Sequence, residues 1–76
     1  MNKYSTIVYF ANEEELIIFI EGYSPITIIN NDIDYENKKD NLIFIIDEYN
    51  NSDNKEDKKL YFNLIKEMIS TQISGP

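Results

Sequence analysis

Seventy-six residues carry fourteen acidic side chains against seven basic ones, all lysine, with no histidine and no cysteine, for a net charge of −7. These counts exclude a disulfide framework, thiolate chemistry, histidine-based acid–base work and the usual nitrogen and sulfur ligands of zinc. They also argue against direct contact with nucleic acid or an anionic membrane, since both call for a basic surface and nucleic acid for arginine as well.

The chain is short enough for one domain, residues 1–76, with a thin core. Its first ten residues hold one lysine among alternating polar and apolar residues, unlike a secretory signal. No apolar run approaches the roughly 18 residues a membrane span needs. The expectation is a soluble, cytoplasmic protein of a bacterial host.

Lys3 to Phe10 (KYSTIVYF) is β-branched and aromatic and predicts a strand. Asn12 is a good helix N-cap, Glu15 sits where a capping box places its partner, and Glu13 and Glu14 suit a first turn. With Leu16, Phe19 and Ile20 on one face and Gly22 as a stop, residues 12–22 predict a helix. Ile26 to Asn30 follows Pro25 as a second strand, and NNDIDYENKKD reads as a connection. Leu42 to Tyr49 (LIFIIDEY) is the most apolar run and predicts a third strand, buried on both faces. Ser52 or Asp53 then caps a second helix, with Leu60, Tyr61, Leu64, Ile65, Met68 and Ile69 as its apolar stripe, ending around 71–73.

The predicted fold is therefore α+β, in the order β-α-β-β-α, with both helices on one face of a three-stranded sheet. A right-handed crossover through the first helix makes strands one and two parallel, and the apolar third strand goes between them, giving strand order 1-3-2. This topology resembles a ferredoxin-like unit missing its last strand. It leaves one sheet face uncovered and the edge of strand one free to take a partner strand.

Asp32, Asp34 and Glu36 alternate in a way that invites a metal reading. An EF-hand loop, however, needs glycine at its sixth position and glutamate at its twelfth, where this chain has Asn37 and Ile43. Asp47 and Glu48 are adjacent, and on a strand they point to opposite faces. No nucleophile elbow or phosphate-cradling glycine loop occurs, so no catalytic, cofactor or metal residue is assigned. Tyr35, ringed by Asp32, Asp34 and Glu36, reads equally as an anchor for a basic pocket and as a loop aromatic folded onto its own core.

What remains is charge on a scaffold without chemistry of its own. Carboxylates held on a rigid surface imitate phosphates and capture the lysines and arginines that bind nucleic acid. The expected partner-binding set is Glu13, Glu14, Asp32, Asp34, Tyr35, Glu36, Asp47 and Glu48, facing a basic host protein. The chain resembles small acidic phage proteins that block host defence, anti-CRISPR proteins among them, in size, charge and lack of motifs. Heavy use of isoleucine and asparagine and avoidance of arginine suit an AT-rich genome, such as a low-GC bacterium, its plasmids or its phages. The alternative is a homodimerising regulatory or antitoxin/immunity-type module, joined through the uncovered sheet face, whose acidity serves only solubility.

Overall fold

A computed structural model describes residues 5–31 and 34–73, with backbone alone for 71–73. The elements run β1 (Val8–Ala11), β2 (Glu15–Phe19), β3 (Ile26–Ile29), α1 (Tyr35–Asn51) and α2 (Lys55–Ile73). The α+β class stands, with three strands and two helices, but the order of elements is β-β-β-α-α. The sheet is an antiparallel meander with strand order β1-β2-β3, which replaces the predicted order 1-3-2 and removes the parallel crossover.

Two segments account for the difference. Residues predicted as the first helix form a turn and β2. Asn12 does cap, since its Oδ1 accepts from the N–H groups of Glu14 and Glu15 at 2.7 and 2.9 Å, but the cap closes a hairpin turn. The run Leu16-Ile17-Ile18-Phe19-Ile20 then continues extended, as β-branched and aromatic side chains favour. Leu16, Ile18 and Ile20 are buried on the inner face. The next turn is closed by Tyr23 N–H donating to the Ile20 carbonyl at 3.0 Å, with Gly22 at φ 89°, a conformation that glycine adopts without strain.

Residues predicted as the third strand lie inside α1. Tyr35, Leu42, Ile46 and Tyr49 are its buried residues, at steps of seven, four and three, so the apolar run follows a helical stripe. Phe44, in the middle of the run, is exposed. The helix opens at Asp34, whose carbonyl accepts from Lys38 N–H at 2.9 Å, so most of the predicted connection is helical. The predicted second helix is present as α2. Asn54, in place of Ser52 or Asp53, caps it, with Oδ1 accepting from Glu56 and Asp57 N–H at 2.7 and 3.1 Å. Its inward face is Ile65 and Ile69, flanked by half-buried Tyr61, Phe62 and Met68, while Leu60 and Leu64 are exposed.

One core joins the inner sheet face to both helices: Ile7, Leu16, Ile18, Ile20 and Ile28 meet Tyr35, Leu42, Ile46, Tyr49, Ile65 and Ile69. Two clasps tie the elements together, one between the helices and one between α1 and the sheet. Lys58 donates to the Tyr49 carbonyl at 2.8 Å and lies 4.4 Å from that tyrosine's ring centroid, placing a cation from α2 on the C-terminal end of α1. The Asn50 side chain reads the Ile7 backbone twice: Ile7 N–H donates to Oδ1 and Nδ2 donates to the Ile7 carbonyl, both at 2.9 Å.

The second clasp matters for the sheet edge. Asn12 N–H turns toward β2, donating to the Glu15 carbonyl at 3.0 Å. Strand alternation then aims Val8 and Phe10 amides at β2 and those of Ile7, Tyr9 and Ala11 at the open edge. Asn50 occupies that edge at Ile7. Asn50→Ala leaves both half-buried peptide groups without these bonds, so a loss of about 2 kcal/mol is expected in urea denaturation. Asn50→Asp sets a carboxylate against the Ile7 carbonyl and is expected to cost at least as much. A denaturation midpoint unchanged in both variants would remove the clasp from the account.

Candidate docking surface

The β1–β2 turn, the end of β3 and the start of α1 converge at one end of the molecule. Asn30 N–H donates to the Glu14 carbonyl at 2.8 Å and its Nδ2 to the Glu13 carbonyl at 2.9 Å. The Tyr35 hydroxyl donates to the Asn12 carbonyl at 3.1 Å, and Lys39 Nζ reaches the same oxygen at 3.5 Å. With the turn backbone held on these sides, the exposed side chains of Glu13 and Glu14 project from a fixed base, near exposed Asp34 and Glu36. Glu36 pairs with Lys39 at 3.2 Å.

The structure thus brings four of the expected residues together: Glu13, Glu14, Asp34 and Glu36. Asp32 lies outside the described residues. Asp47 and Glu48 are exposed but sit more than three helical turns from the start of α1, about 18 Å along its axis from Glu36. The Asp47 carboxylate accepts from the Tyr9 hydroxyl at 3.5 Å, and Glu48 borders a small polar recess with Asn51, Ser52, Asp57 and Tyr61. Tyr35 is 2% exposed. Its ring belongs to the core, with Lys39 Nζ 5.2 Å from the ring centroid, so it cannot enter a partner's pocket and its part is to hold the acidic turn in place.

Burial holds the phenols of Tyr9 and Tyr35 above their ordinary value of 10.0. For Tyr9 the Asp47 charge and hydrogen bond add to the effect. For Tyr35 Lys39 opposes it, and Glu36 and Glu15 reinforce it. In both cases the folded state holds the proton more tightly than the unfolded chain. The contribution is complete below pH 10 and is lost as pH rises through the folded values. Denaturation midpoints are expected to stay level to about pH 9 and fall beyond about pH 10, with a shallower fall in Tyr9→Phe. Equal alkaline slopes for wild type and Tyr9→Phe would contradict this.

The predicted uncovered sheet face exists, but other residues build it. Register places Val8 opposite Phe19, Phe10 opposite Ile17, Ile17 opposite Thr27 and Glu15 opposite Ile29, all on the side away from the helices. Val8, Phe10, Phe19 and Ile29 are 58, 56, 43 and 59% exposed, and Ile17 is half-buried at their centre. Leu42 to Tyr49, the segment expected to supply this face, is in α1.

Charge is segregated in the same sense. All six described lysines, Lys38, Lys39, Lys55, Lys58, Lys59 and Lys66, lie in α1 and α2. Residues 5–31, which form the sheet and its turns, carry Glu13, Glu14, Glu15 and Glu21 and no lysine. Glu15 and Glu21 were not among the expected contact residues. The parity of Glu15 with Ile17 and Phe19 becomes legible only once the segment is known to be a strand.

A mainly apolar groove of about 510 Å³ lies between the β2–β3 turn and α2, bordered by Ile20, Tyr23, Pro25, Ile26, Lys66 and Ile69. Among the described residues no charged side chain is buried, no group of three or more acidic residues is placed to hold a metal ion, and no helix is long and apolar enough to cross a membrane. No family model matches the chain, and neither the curated proteins nor the solved structures yielded a match.

Proposed function

We propose that this chain is a non-enzymatic binding protein that presents carboxylates to a basic protein surface. In the reading its charge favours, it inhibits a nucleic-acid-handling or defence complex of a bacterial host, as a nucleic-acid mimic carried by a phage or mobile element. The observation that supports it is the segregation of charge: four glutamates and no lysine across residues 5–31, with Glu13 and Glu14 fixed beside Asp34 and Glu36. Carboxylates carried on a fixed backbone attract lysine and arginine at long range and need no backbone reordering on contact. Immobilised, the chain is expected to retain basic nucleic-acid-binding proteins at about 50 mM salt, release them near 200 mM, and lose them to added duplex DNA. Retention indifferent to both salt and DNA overturns this reading.

The exposed apolar sheet face favours a second reading, a homodimerising regulatory or antitoxin/immunity-type module. Sedimentation separates the two, because a monomer at micromolar concentration counts against the second.

A further inference from the structure

We infer that the outer face of the sheet is the docking surface, and that its occupant is a protein patch with an apolar centre and a rim of lysine or arginine. This rests on the acidic-recognition reading above and assigns recognition to one face.

Val8, Phe10, Ile17, Phe19 and Ile29 form a continuous apolar field, because each cross-strand pair in the register sets two of its members, or one and Thr27 or Glu15, side by side. Fields of this kind on a small protein mark contact sites. The field is bounded along β2 by Glu15 at one end, with Glu13 and Glu14 in the adjoining turn. Glu21 lies in the turn two residues past the other end of the strand, its carboxylate accepting from the Ser5 hydroxyl. No positive charge lies anywhere in residues 5–31.

That absence selects the occupant. Two copies packed face to face would bring glutamates toward glutamates, because among the described residues neither face offers a cation, and each copy carries a net charge of −7. An anionic lipid surface meets the same repulsion. A patch with apolar side chains at its centre and cations around them satisfies both parts, with dehydrated contacts inside and charge pairs at the rim.

The test is an amide-resolved NMR titration of the full chain with three synthetic peptides: an amphipathic leucine–lysine helix, its leucine–glutamate counterpart and a lysine-only chain. The leucine–lysine peptide is expected to shift Val8, Phe10, Ile17, Phe19 and Ile29, and to bind about tenfold or more tightly than either of the others. Phe10→Ser with Phe19→Ser is expected to remove that advantage. Should this pair fail to fold, Glu15→Lys with Glu21→Lys keeps the apolar field and is expected to reverse the preference toward leucine–glutamate. Self-association through this face in sedimentation, or binding to neutral phosphatidylcholine vesicles through it, overturns the inference. Lysine-peptide shifts confined to Glu13, Glu14, Asp34 and Glu36 also overturn it while leaving acidic recognition standing. Failure of both lysine peptides to bind overturns the two together.

Discussion

Tyr35→Ala is expected to remove about 3–5 kcal/mol of folding stability, out of the roughly 4–11 kcal/mol that a chain of this length commands. Tyr35 is among the largest fully buried side chains and sits where α1 begins, against the inner sheet face. Truncation leaves a cavity lined by core residues that both layers share, and a small core has little capacity to close around it. The hydroxyl is a separable part of the effect. Tyr35→Phe keeps the ring and loses only the bond to the Asn12 carbonyl, for about 1 kcal/mol. It should therefore fold and retain the sheet, with greater mobility in residues 12–14. Urea denaturation orders the three proteins, and an alanine variant as resistant as wild type would place the ring outside the core.

The second large effect concerns binding. Converting Glu13, Glu14, Asp34 and Glu36 to their amides removes four negative charges from one end of the chain without changing side-chain shape. All four are exposed, so thermal stability should move little. Exposed charge pairs contribute about 0.2–1 kcal/mol each, so affinity for a lysine peptide at low salt is expected to fall between about fourfold and several hundredfold. The salt dependence should flatten in parallel. Amides at Asp47 and Glu48, on the far part of α1, serve as the comparison and are expected to change affinity less. Identical affinity and salt slope in wild type and the four-amide variant would sever recognition from these side chains.

Which parts of this could be read from residue order alone follows from local chemistry. The second helix was legible because Ile65, Met68 and Ile69 recur at helical spacing after a cap-rich segment. The inward face differs from the helical stripe read off the sequence: Leu60 and Leu64 are exposed, and Phe62 turns inward to meet the Tyr49 ring at 6.0 Å between centroids. The segment 42–49 was opaque because five apolar residues in succession carry no period, and a buried strand and a helix both accommodate them. Its period emerges only with Tyr35 and Tyr49 included, and Tyr35 stands in a polar stretch that reads as a connection. The turn at Asn12 misled for a sharper reason. A side-chain oxygen accepting from the second and third following N–H groups begins a helix and closes a hairpin turn alike, so Asn12-Glu13-Glu14-Glu15 fits both. What decides is the following Leu16–Ile20 run, whose inner and outer faces are both apolar, which hid the strand's alternation. Of the expected contact residues, proximity in sequence placed Glu13 with Glu14 and Asp34 with Glu36. Their meeting at one end is a product of the meander, and the order of elements in it was not evident.

Because every strand precedes every helix, synthesis imposes an interval on the nascent chain. From the end of β3 at Ile29 to the end of α2 at Ile73, translation at roughly 5–20 residues per second takes about 2–9 s. Until that interval ends the meander lacks its full helical cover, so apolar surface and two unpaired strand borders are open at once. Four glutamates and no lysine in residues 5–31, which precede both helices, give that stretch a negative charge that opposes association of two uncovered sheets. The carboxylates proposed to meet a partner are thus also expected to weaken self-adhesion of the sheet before the helices cover it.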